Sequence, residues 1–403
     1  MNIPEQVIAR WTGDDPSVHA YPGAVALVQV KGKVLMEKAF GKAWTGDAKD
    51  PWVASGDMRT DCVFELASLS KIISTTTAAL ILLDRGEITL DDPVQYFFPE
   101  TAGTPLGSVC IWHILTHTSG LPQQPDLFAS AYRSNSGNGE YEPVDVISKI
   151  RPLWEPGVHV QYSCAGYIVL GRIIEKVSGM RLDEFARRNI FEPMGVKSTG
   201  YMPLDQARPD WARGRIVPSE TRSTNPRSTA FAHTFRARGL WLDEWEARHI
   251  NGDVVCGLIY DDEAGWLGGV AGNTGVFSTA SDVAKFGQMW LDEGAGPDGK
   301  QIISPAAVRT ATRCWTAHCT GNDLRGLGWQ FPSREKSLGD FAPEGTFGHA
   351  GFTGTGFWIA PSLGLVSVLL TNRLQFAREN LRVLRVRKMF NNAVYAEVEA
   401  NGR

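Results

Sequence analysis

The strongest constraint on the fold of this chain is an apolar run near its N-terminal end. Residues 72–83 contain only Ile, Ser, Thr, Ala and Leu; they follow Glu-Leu-Ala-Ser-Leu-Ser-Lys at 65–71 and stop at Asp84-Arg85-Gly86. This pattern predicts a helix that is apolar nearly all round. Such a helix lies in a core and not on a surface. We therefore expect the other elements of the chain to pack around it.

Two polar residues stand at the entrance of this helix, Ser68 and Lys71. They are three residues apart, so they share one face. A serine hydroxyl is a weak nucleophile until a base takes its proton, and a buried lysine can have its pKa lowered enough to do so. The helix N-terminus also favours negative charge that develops there. Alone, Ser-x-x-Lys arises roughly once or twice by chance in a chain of this length, and a solvated lysine near a helix start is the alternative.

The composition is that of a large globular enzyme: 403 residues, 43% of them hydrophobic and 21% charged. A net charge of −4 gives no reason to expect nucleic acid or a membrane surface as a partner. The first ten residues lack the basic and apolar regions of a signal peptide, and no run approaches the length of a transmembrane span. The six cysteines are scattered, without C-x-x-C. We therefore expect a reduced, cytoplasmic protein.

Strand-like segments lie at both ends of the chain. Residues 23–30 and 34–40 flank a Lys-Gly-Lys turn, and residues 355–360 and 365–370 flank Pro-Ser-Leu-Gly, so each pair is typical of a β-hairpin. Helical patterns lie between them. This order predicts an α+β fold, with one antiparallel sheet built from N- and C-terminal segments, flanked by helices, and an inserted mainly helical lobe. The expected units are a sheet domain, 1–85 plus 265–403, and a helical lobe, 86–264.

A long segment of uneven pattern, residues 200–256, contains Trp211, Trp241 and Trp245. Irregular segments of this length are usually functional or disordered, and the tryptophans favour packed structure. One interpretation is a lid over a cleft, with Trp241 and Trp245 against the substrate. The other is a second small core that only supports the helical lobe.

Three further motifs each have a functional and a structural interpretation. Tyr162 precedes a predicted helix, where a nearby cation could lower its pKa and make it a proton relay; a part-buried structural tyrosine is the alternative. Residues 347–354, with three glycines, let a strand edge approach closely and offer a backbone N–H to an oxyanion; a glycine-rich turn with a surface histidine is the alternative. His113 and His117 have zinc-like spacing, but Ile114 stands where a metalloprotease needs Glu. We expect no metal and no cofactor.

Together these motifs resemble the β-lactamase-related serine hydrolases, specifically the class C-like branch of esterases, D-amino-acid peptidases and acyltransferases. The order and spacing match over most of residues 20–375. The resemblance implies a β-lactamase/transpeptidase-like fold. It is carried by five segments: Ser68-x-x-Lys71, Leu-Thr-His-Thr-Ser-Gly-Leu at 115–121, Tyr162-Ser163, Gly-Val-Ala-Gly-Asn-Thr-Gly-Val-Phe-Ser-Thr at 269–279, and His349-Ala350-Gly351.

The resemblance implies a role for each matching residue. Ser68 would be the acylated nucleophile, and Lys71 and Tyr162 would share general acid and base duty. The backbone N–H groups of Ser68 and Phe352 would form the oxyanion hole. His117 would be a scaffold residue.

Two departures from the family pattern bear on the substrate. Cys164 stands where the family usually has the Asn of Tyr-x-Asn, and this removes an amide that contacts the acyl-amide side chain. His349, in the segment with Gly351 that occupies the place of Lys-Thr-Gly, replaces a lysine that helps to hold a β-lactam carboxylate. Cys164, His349 and Gly351 would thus line a site for esters or amides that lack an anionic group there.

The sequence therefore predicts a serine hydrolase that cleaves a small-molecule ester or amide through an acyl-Ser68 intermediate. The alternative is an acyltransferase that passes the acyl group to an amine or alcohol, as in natural-product biosynthesis. A D-amino-acid peptidase and a β-lactamase fit less well because of the two departures. A catalytically inactive binding or sensor domain is a third class, which the intact Ser68, Lys71 and Tyr162 disfavour.

Overall fold

An antiparallel sheet built from both ends of the sequence organises the described part of the chain. The computed structural model describes residues 2–46, 50–124, 142–221, 250–251, 254–321, 323–333 and 337–401. Within these residues the main sheet has six strands in the order β10-β11-β12-β1-β2-β3. The strands are β1 Gly23–Val30, β2 Lys33–Trp44, β3 Gly56–Asp57, β4 Phe64–Glu65, β5 Gly200–Tyr201, β6 Glu220–Thr221, β7 Ile250–Asn251, β8 Val254–Val255, β9 Val276–Ser278, β10 Phe347–Ala350, β11 Gly356–Ala360 and β12 Leu365–Thr371.

Two hairpins and one long-range pairing make this sheet. The β1–β2 turn places Lys31 and Gly32 at positive φ, and the β11–β12 connection ends at Gly364, also at positive φ. Strand β1 then pairs with β12, with Leu27 opposite Val368. The first and last strands of the chain thus become neighbours. The α+β architecture with a sheet from both termini is confirmed.

The helices pack against both faces of the sheet. Alternate residues of β1 face opposite sides, as the pleat requires: Val25 and Leu27 belong to the larger core, and Ala24 and Ala26 to a second core. The helices described are α1 Ile3–Trp11, α2 Thr77–Asp84, α3 Val94–Phe97, α4 Ile111–Leu115, α5 Pro143–Ser148, α6 Cys164–Ser178, α7 Leu182–Ala186, α8 Asp262–Trp266, α9 Ala280–Leu291, α10 Pro305–Ala311 and α11 Arg382–Asn401. Helices α1 and α11 cover the second core, and α9 contributes to the larger one.

The buried helix is present, but it is not uniformly α-helical. It begins as a 3₁₀ turn, Ala67–Leu69, continues as a π-helical segment, Lys71–Thr76, and becomes α2. Irregular helical turns of this kind often occur at functional sites. By length and composition the stretch Ala67–Asp84 is long and apolar enough to cross a membrane, so the expectation that no run approaches this length is wrong. However, 83% of the stretch is buried inside the protein, and the buried core helix of a globular protein meets the same criteria.

Candidate active site

The side chains of Ser68 and Lys71 meet at the start of the buried helix. Ala67 has a φ of +49°, a region that costs energy for a residue with a Cβ. Ser68 follows it and is partly exposed, whereas Lys71 is fully buried. The Lys71 Nζ donates a hydrogen bond to Ser68 Oγ at 3.3 Å. A reachable hydroxyl therefore lies against a buried amine.

Tyr162 completes this group from the other side. Its hydroxyl donates to Ser68 Oγ at 2.7 Å. His117 holds the segment that carries it, because His117 Nδ1 accepts from Ser163 N at 3.2 Å and the His117 carbonyl accepts from Gln161 N at 2.8 Å. The His117 ring also packs on the Tyr162 ring, with centroids 4.4 Å apart. These contacts are those of a scaffold residue.

The rest of the Lys71 environment is uncharged at short range. Its Nζ donates to the Asn273 carbonyl at 2.9 Å and lies 3.6 Å from Cys164 Sγ. It also lies 5.0 Å from the centre of the Tyr162 ring and 5.6 Å from that of Tyr167. Within the described ranges no carboxylate forms an ion pair with Lys71. Its protonation therefore depends on burial, on the neighbouring thiol and phenol, and to a lesser extent on the more distant carboxylate of Asp261.

Cys164 and Tyr162 oppose the effect of burial on the pKa of Lys71. Burial lowers the pKa of Lys71, but the negative charge that Cys164 and Tyr162 can carry raises it more, so its net direction is upward. Burial raises the pKa of Tyr162, and this outweighs the attraction of Lys71. The expectation that both pKa values are lowered is therefore wrong. Because the two groups interact strongly, they titrate as a unit and give up a proton only on the alkaline side.

A glycine-rich turn between β10 and β11 lies against the segment that carries Ser68. Thr353 Oγ1 donates to the Glu65 carbonyl at 3.0 Å, and Thr355 Oγ1 donates to the Leu66 carbonyl at 2.9 Å. Gly351 fits here because a Cβ on it would come within 2.5 Å of the Leu66 carbonyl oxygen. These contacts hold the turn that carries Phe352 against the segment that precedes Ser68.

His349 is not a surface residue. It lies in β10 opposite Phe357, is 2% exposed, and its ring centroid is 6.2 Å from that of Tyr162. The alternative of a surface histidine is therefore wrong, and His349 stands next to the catalytic candidates. Trp241 and Trp245 lie outside the described residues. Trp211 is partly buried against a third, smaller core.

No motif in the sequence identifies the residues that surround Phe352. The Phe352 ring, 45% exposed, stacks on Tyr260 with centroids 5.0 Å apart. The Arg373 guanidinium lies 4.6 Å from the Phe352 ring centre, and that of Arg378 lies 4.2 Å from the Tyr260 ring centre. The Tyr260 N–H donates to buried Glu65 at 3.1 Å, and burial raises the pKa of Glu65. A flat aromatic surface thus borders the Ser68 segment.

The amino-acid sequence matches one family over nearly its whole length. Residues 8–388 match the family described as Beta-lactamase. An N-acetylmuramyl-L-alanine amidase of Bacillus subtilis (strain 168) is 27% identical over 367 residues, which are 88% of this chain and 77% of the relative. A putative D-alanyl-D-alanine carboxypeptidase of Escherichia coli (strain K12) is 26% identical over 379 residues, 90% of this chain and 81% of the relative.

Solved structures share the fold. EstCE1, a hydrolase with promiscuous acyltransferase activity, superposes with a TM-score of 0.66 at 20% identity and covers 98% of this chain and 97% of its own. A class C β-lactamase from Rhodobacter sphaeroides gives 0.65 at 23% identity, covering 98% and 100%. Simvastatin synthase (LovD) from Aspergillus terreus gives 0.70 at 18% identity, covering 98% and 99%. These likenesses confirm the expected β-lactamase/transpeptidase-like architecture. The family match over residues 8–388 shows that the chain belongs to the Beta-lactamase family of serine hydrolases.

Proposed function

We propose that this protein cleaves small uncharged esters, or related amides, through an acyl-enzyme on Ser68. One observation carries the proposal: Ser68 Oγ accepts hydrogen bonds from both the Tyr162 hydroxyl, at 2.7 Å, and the Lys71 amine, at 3.3 Å. A nucleophile held between two proton-transfer groups is the arrangement that covalent acyl transfer needs. Ser68 is also partly exposed, so a substrate carbonyl can reach it.

The reaction then proceeds by proton exchange around Ser68 Oγ. The Tyr162–Lys71 unit, after losing one proton, takes the hydroxyl proton as Oγ attacks the carbonyl carbon. The carbonyl oxygen becomes an oxyanion, held by the N–H groups of Ser68 and Phe352. Collapse of this intermediate expels the alcohol, which receives the proton from the unit. Water repeats the sequence on the acyl-enzyme, releasing the acid and restoring the Ser68 hydroxyl.

The surroundings of Ser68 support an acyl group without a negative charge. Cys164 lies against Lys71 and offers a thiol in place of an amide. His349 is buried and stands in place of a long cationic side chain. The exposed Phe352 ring, stacked on Tyr260, offers a flat apolar surface. Aryl esters and apolar acyl chains match this surface.

Transfer to an acceptor is the second candidate, and the exposed Phe352 ring supports it. An acyl-enzyme partitions between water and any nucleophile that reaches its carbonyl. A bulky apolar amine or alcohol could stack on Phe352 beside the acyl group and compete with water. Hydrolysis needs no such acceptor and remains the primary proposal.

A substrate comparison tests the proposal. We expect aryl acetates and butyrates to be cleaved at least ~100-fold faster, in kcat/KM, than a chromogenic cephalosporin, since the groups that grip the amide and carboxylate of a β-lactam are replaced. The same assay with a bulky amine or alcohol, analysed by mass spectrometry, measures transfer. Acylated acceptor would establish the second candidate, and free acid alone would leave hydrolysis. Efficient cephalosporin turnover would show that Cys164 and His349 do not restrict the substrate as proposed.

The pH dependence of the reaction should be set by the Lys71 environment. Because the pKa of Lys71 is raised and its proton must leave before Ser68 is activated, kcat/KM should rise with pH from neutral to alkaline conditions. Cys164 makes the largest contribution that raises this pKa, through the negative charge that its thiol can carry, although burial raises the pKa of the thiol itself. Cys164→Ser removes it, so the rising limb should move to lower pH.

A second buried thiol provides the control for this shift. Cys256 is 1% exposed and lies in the smaller third core, away from Lys71. Cys256→Ser also replaces a buried thiol by a hydroxyl, but it should leave the dependence of kcat/KM on pH unchanged. An unchanged profile in Cys164→Ser would mean that its thiol does not influence Lys71.

A further inference from the structure

Arg387 on α11 is a buried cation that lies under the turn carrying Phe352. It is 4% exposed. Its Nη2 donates to two main-chain carbonyls, those of Gly351 and Thr355, each at 2.7 Å. In the described part of the chain it forms no ion pair with a carboxylate. Its charge is therefore held by peptide oxygens.

Anchoring α11 does not by itself account for this charge. Burial, with repulsion from Arg373 as the next effect, lowers the pKa of Arg387 to about 9, which reflects an unfavourable site for a cation. Burying a charge without an opposite partner is costly. One turn later, Asn391 makes the same kind of contact without charge, since its Nδ2 donates to the Ser337 carbonyl at 2.9 Å. A neutral residue at 387 would anchor the helix at less cost.

The position of the two acceptors suggests what the charge does. The Gly351 carbonyl and the Phe352 N–H belong to one planar peptide unit, and in a trans peptide they point in opposite directions. Holding the carbonyl therefore aims the N–H. Two groups hold the Gly351 carbonyl: the Gly354 N–H donates to it at 3.2 Å within the turn, and Arg387 Nη2 donates to it at the shorter distance of 2.7 Å. No hydrogen bond from the Phe352 N–H to any other described residue is present in the structure. Nearby, the Gly351 N–H donates to the Thr355 carbonyl at 2.8 Å and closes the turn.

We infer that Arg387 is a positioning residue for the oxyanion hole: it fixes the Gly351–Phe352 peptide so that the Phe352 N–H faces the carbonyl oxygen of the substrate. This rests on the proposed acyl-enzyme chemistry at Ser68. A cation on the carbonyl oxygen also polarises the peptide, and this strengthens the N–H as a donor. The arginine thus acts through a peptide, from the side opposite to the substrate.

A second buried arginine shows that the contact is specific to one peptide. Arg373 Nε donates to the Phe352 carbonyl at 2.7 Å. That carbonyl shares its plane with the N–H of Thr353, the next residue. Arg373 therefore supports the turn but does not determine the direction of the Phe352 N–H.

The test compares two variants of Arg387 with a control on the same helix. Arg387→Met should lower kcat for an aryl ester by roughly 10- to 100-fold, somewhat less than the loss of an oxyanion donor itself, with little change in KM. It should weaken binding of an aryl boronic acid, whose tetrahedral Ser68 adduct needs the oxyanion hole, by a similar factor. Arg387→Lys keeps a cation and should recover part of both losses. Asn391→Ala should lower the Tm but change kcat less than about threefold.

The outcomes separate the inference from the function it rests on. Wild-type protein that takes no fluorophosphonate at Ser68 contradicts the acyl-enzyme proposal before any variant is compared. Wild-type labelling together with full kcat and boronate affinity in Arg387→Met overturns the role of Arg387. If Arg387→Met does not fold, the kcat and boronate affinity of Arg387→Lys test the inference in its place. Its ammonium cannot reproduce the geometry of the guanidinium, so wild-type kcat in that variant also overturns the inference.

Discussion

Ser68→Ala should remove nearly all turnover of aryl esters, the largest effect expected of any single change in this protein. The Ser68 hydroxyl is the atom on which the Tyr162 and Lys71 hydrogen bonds converge, so no other group replaces it. Binding and the oxyanion hole should leave a residual acceleration of about 10³-fold over water. The measurements are kcat/KM and stoichiometric labelling by a fluorophosphonate, with the adduct located by peptide mass spectrometry.

Two neighbouring serines provide the controls for this assignment. Ser70 is fully buried, and its Oγ accepts from the Val276 N–H at 3.0 Å. The Ser163 hydroxyl caps α6 and donates to the Pro122 carbonyl at 3.0 Å. Ser70→Ala should therefore still be labelled at Ser68. An adduct on Ser70 or Ser163 would contradict the assignment, and an unlabelled, folded wild type would point to an inactive binding domain.

Local patterns were sufficient to predict the framework around Ser68. The two hairpins follow from short apolar strand segments and the turns between them, and the predicted strands lie within a few residues of the observed ones. The helix predicted after Tyr162 is observed as Cys164–Ser178, with Ser163 as its cap and Gly179 at positive φ. Each signal lies within a few residues of the element it specifies, which is why the sequence reveals it.

The directions of the pKa shifts at the site could not be predicted from the same patterns. The spacing places Lys71 one turn from Ser68, but it does not show that Cys164 and Tyr162 lie beside the amine, where they reverse the direction of its pKa shift.

Contacts to main-chain atoms were the hardest to predict. Lys71 donates to the Asn273 carbonyl, and Arg387 donates to the Gly351 carbonyl. Every residue type has a main-chain carbonyl, so the amino acid at the accepting position does not reveal such a contact. Arg387 belongs to a C-terminal stretch with four arginines and a lysine between residues 378 and 388, and such a pattern by itself predicts a solvated helix face. It is buried because α11 folds back onto the strands that hold the site. Only the tertiary structure brings these residues together.

A double-mutant cycle should show that Lys71 and Tyr162 act as one catalytic unit. Lys71→Ala and Tyr162→Phe should each lower kcat by about 10²- to 10⁴-fold, the usual contribution of general acid–base groups. The Lys71 loss should be greater, since Lys71 contacts Ser68 Oγ and its charge also lowers the pKa of Tyr162, so removing it affects both groups. The double variant should lose far less than the product of the two factors, because either change already disables the shared proton transfer.

Tyr167 provides the matched control for this cycle. Its ring centre is 5.6 Å from Lys71 Nζ, and its buried hydroxyl contacts Thr76 Oγ1, at 3.2 Å, and the Leu115 carbonyl, at 3.4 Å, but not Ser68. Tyr167→Phe removes a phenol beside the same amine, so any effect on kcat should be small and should simply multiply with that of the other variants. If the Lys71 and Tyr162 losses also multiply, the two residues work independently. Each proton transfer would then need its own base. That result would contradict the proposed unit, in which the Lys71 and Tyr162 hydrogen bonds meet at Ser68 Oγ.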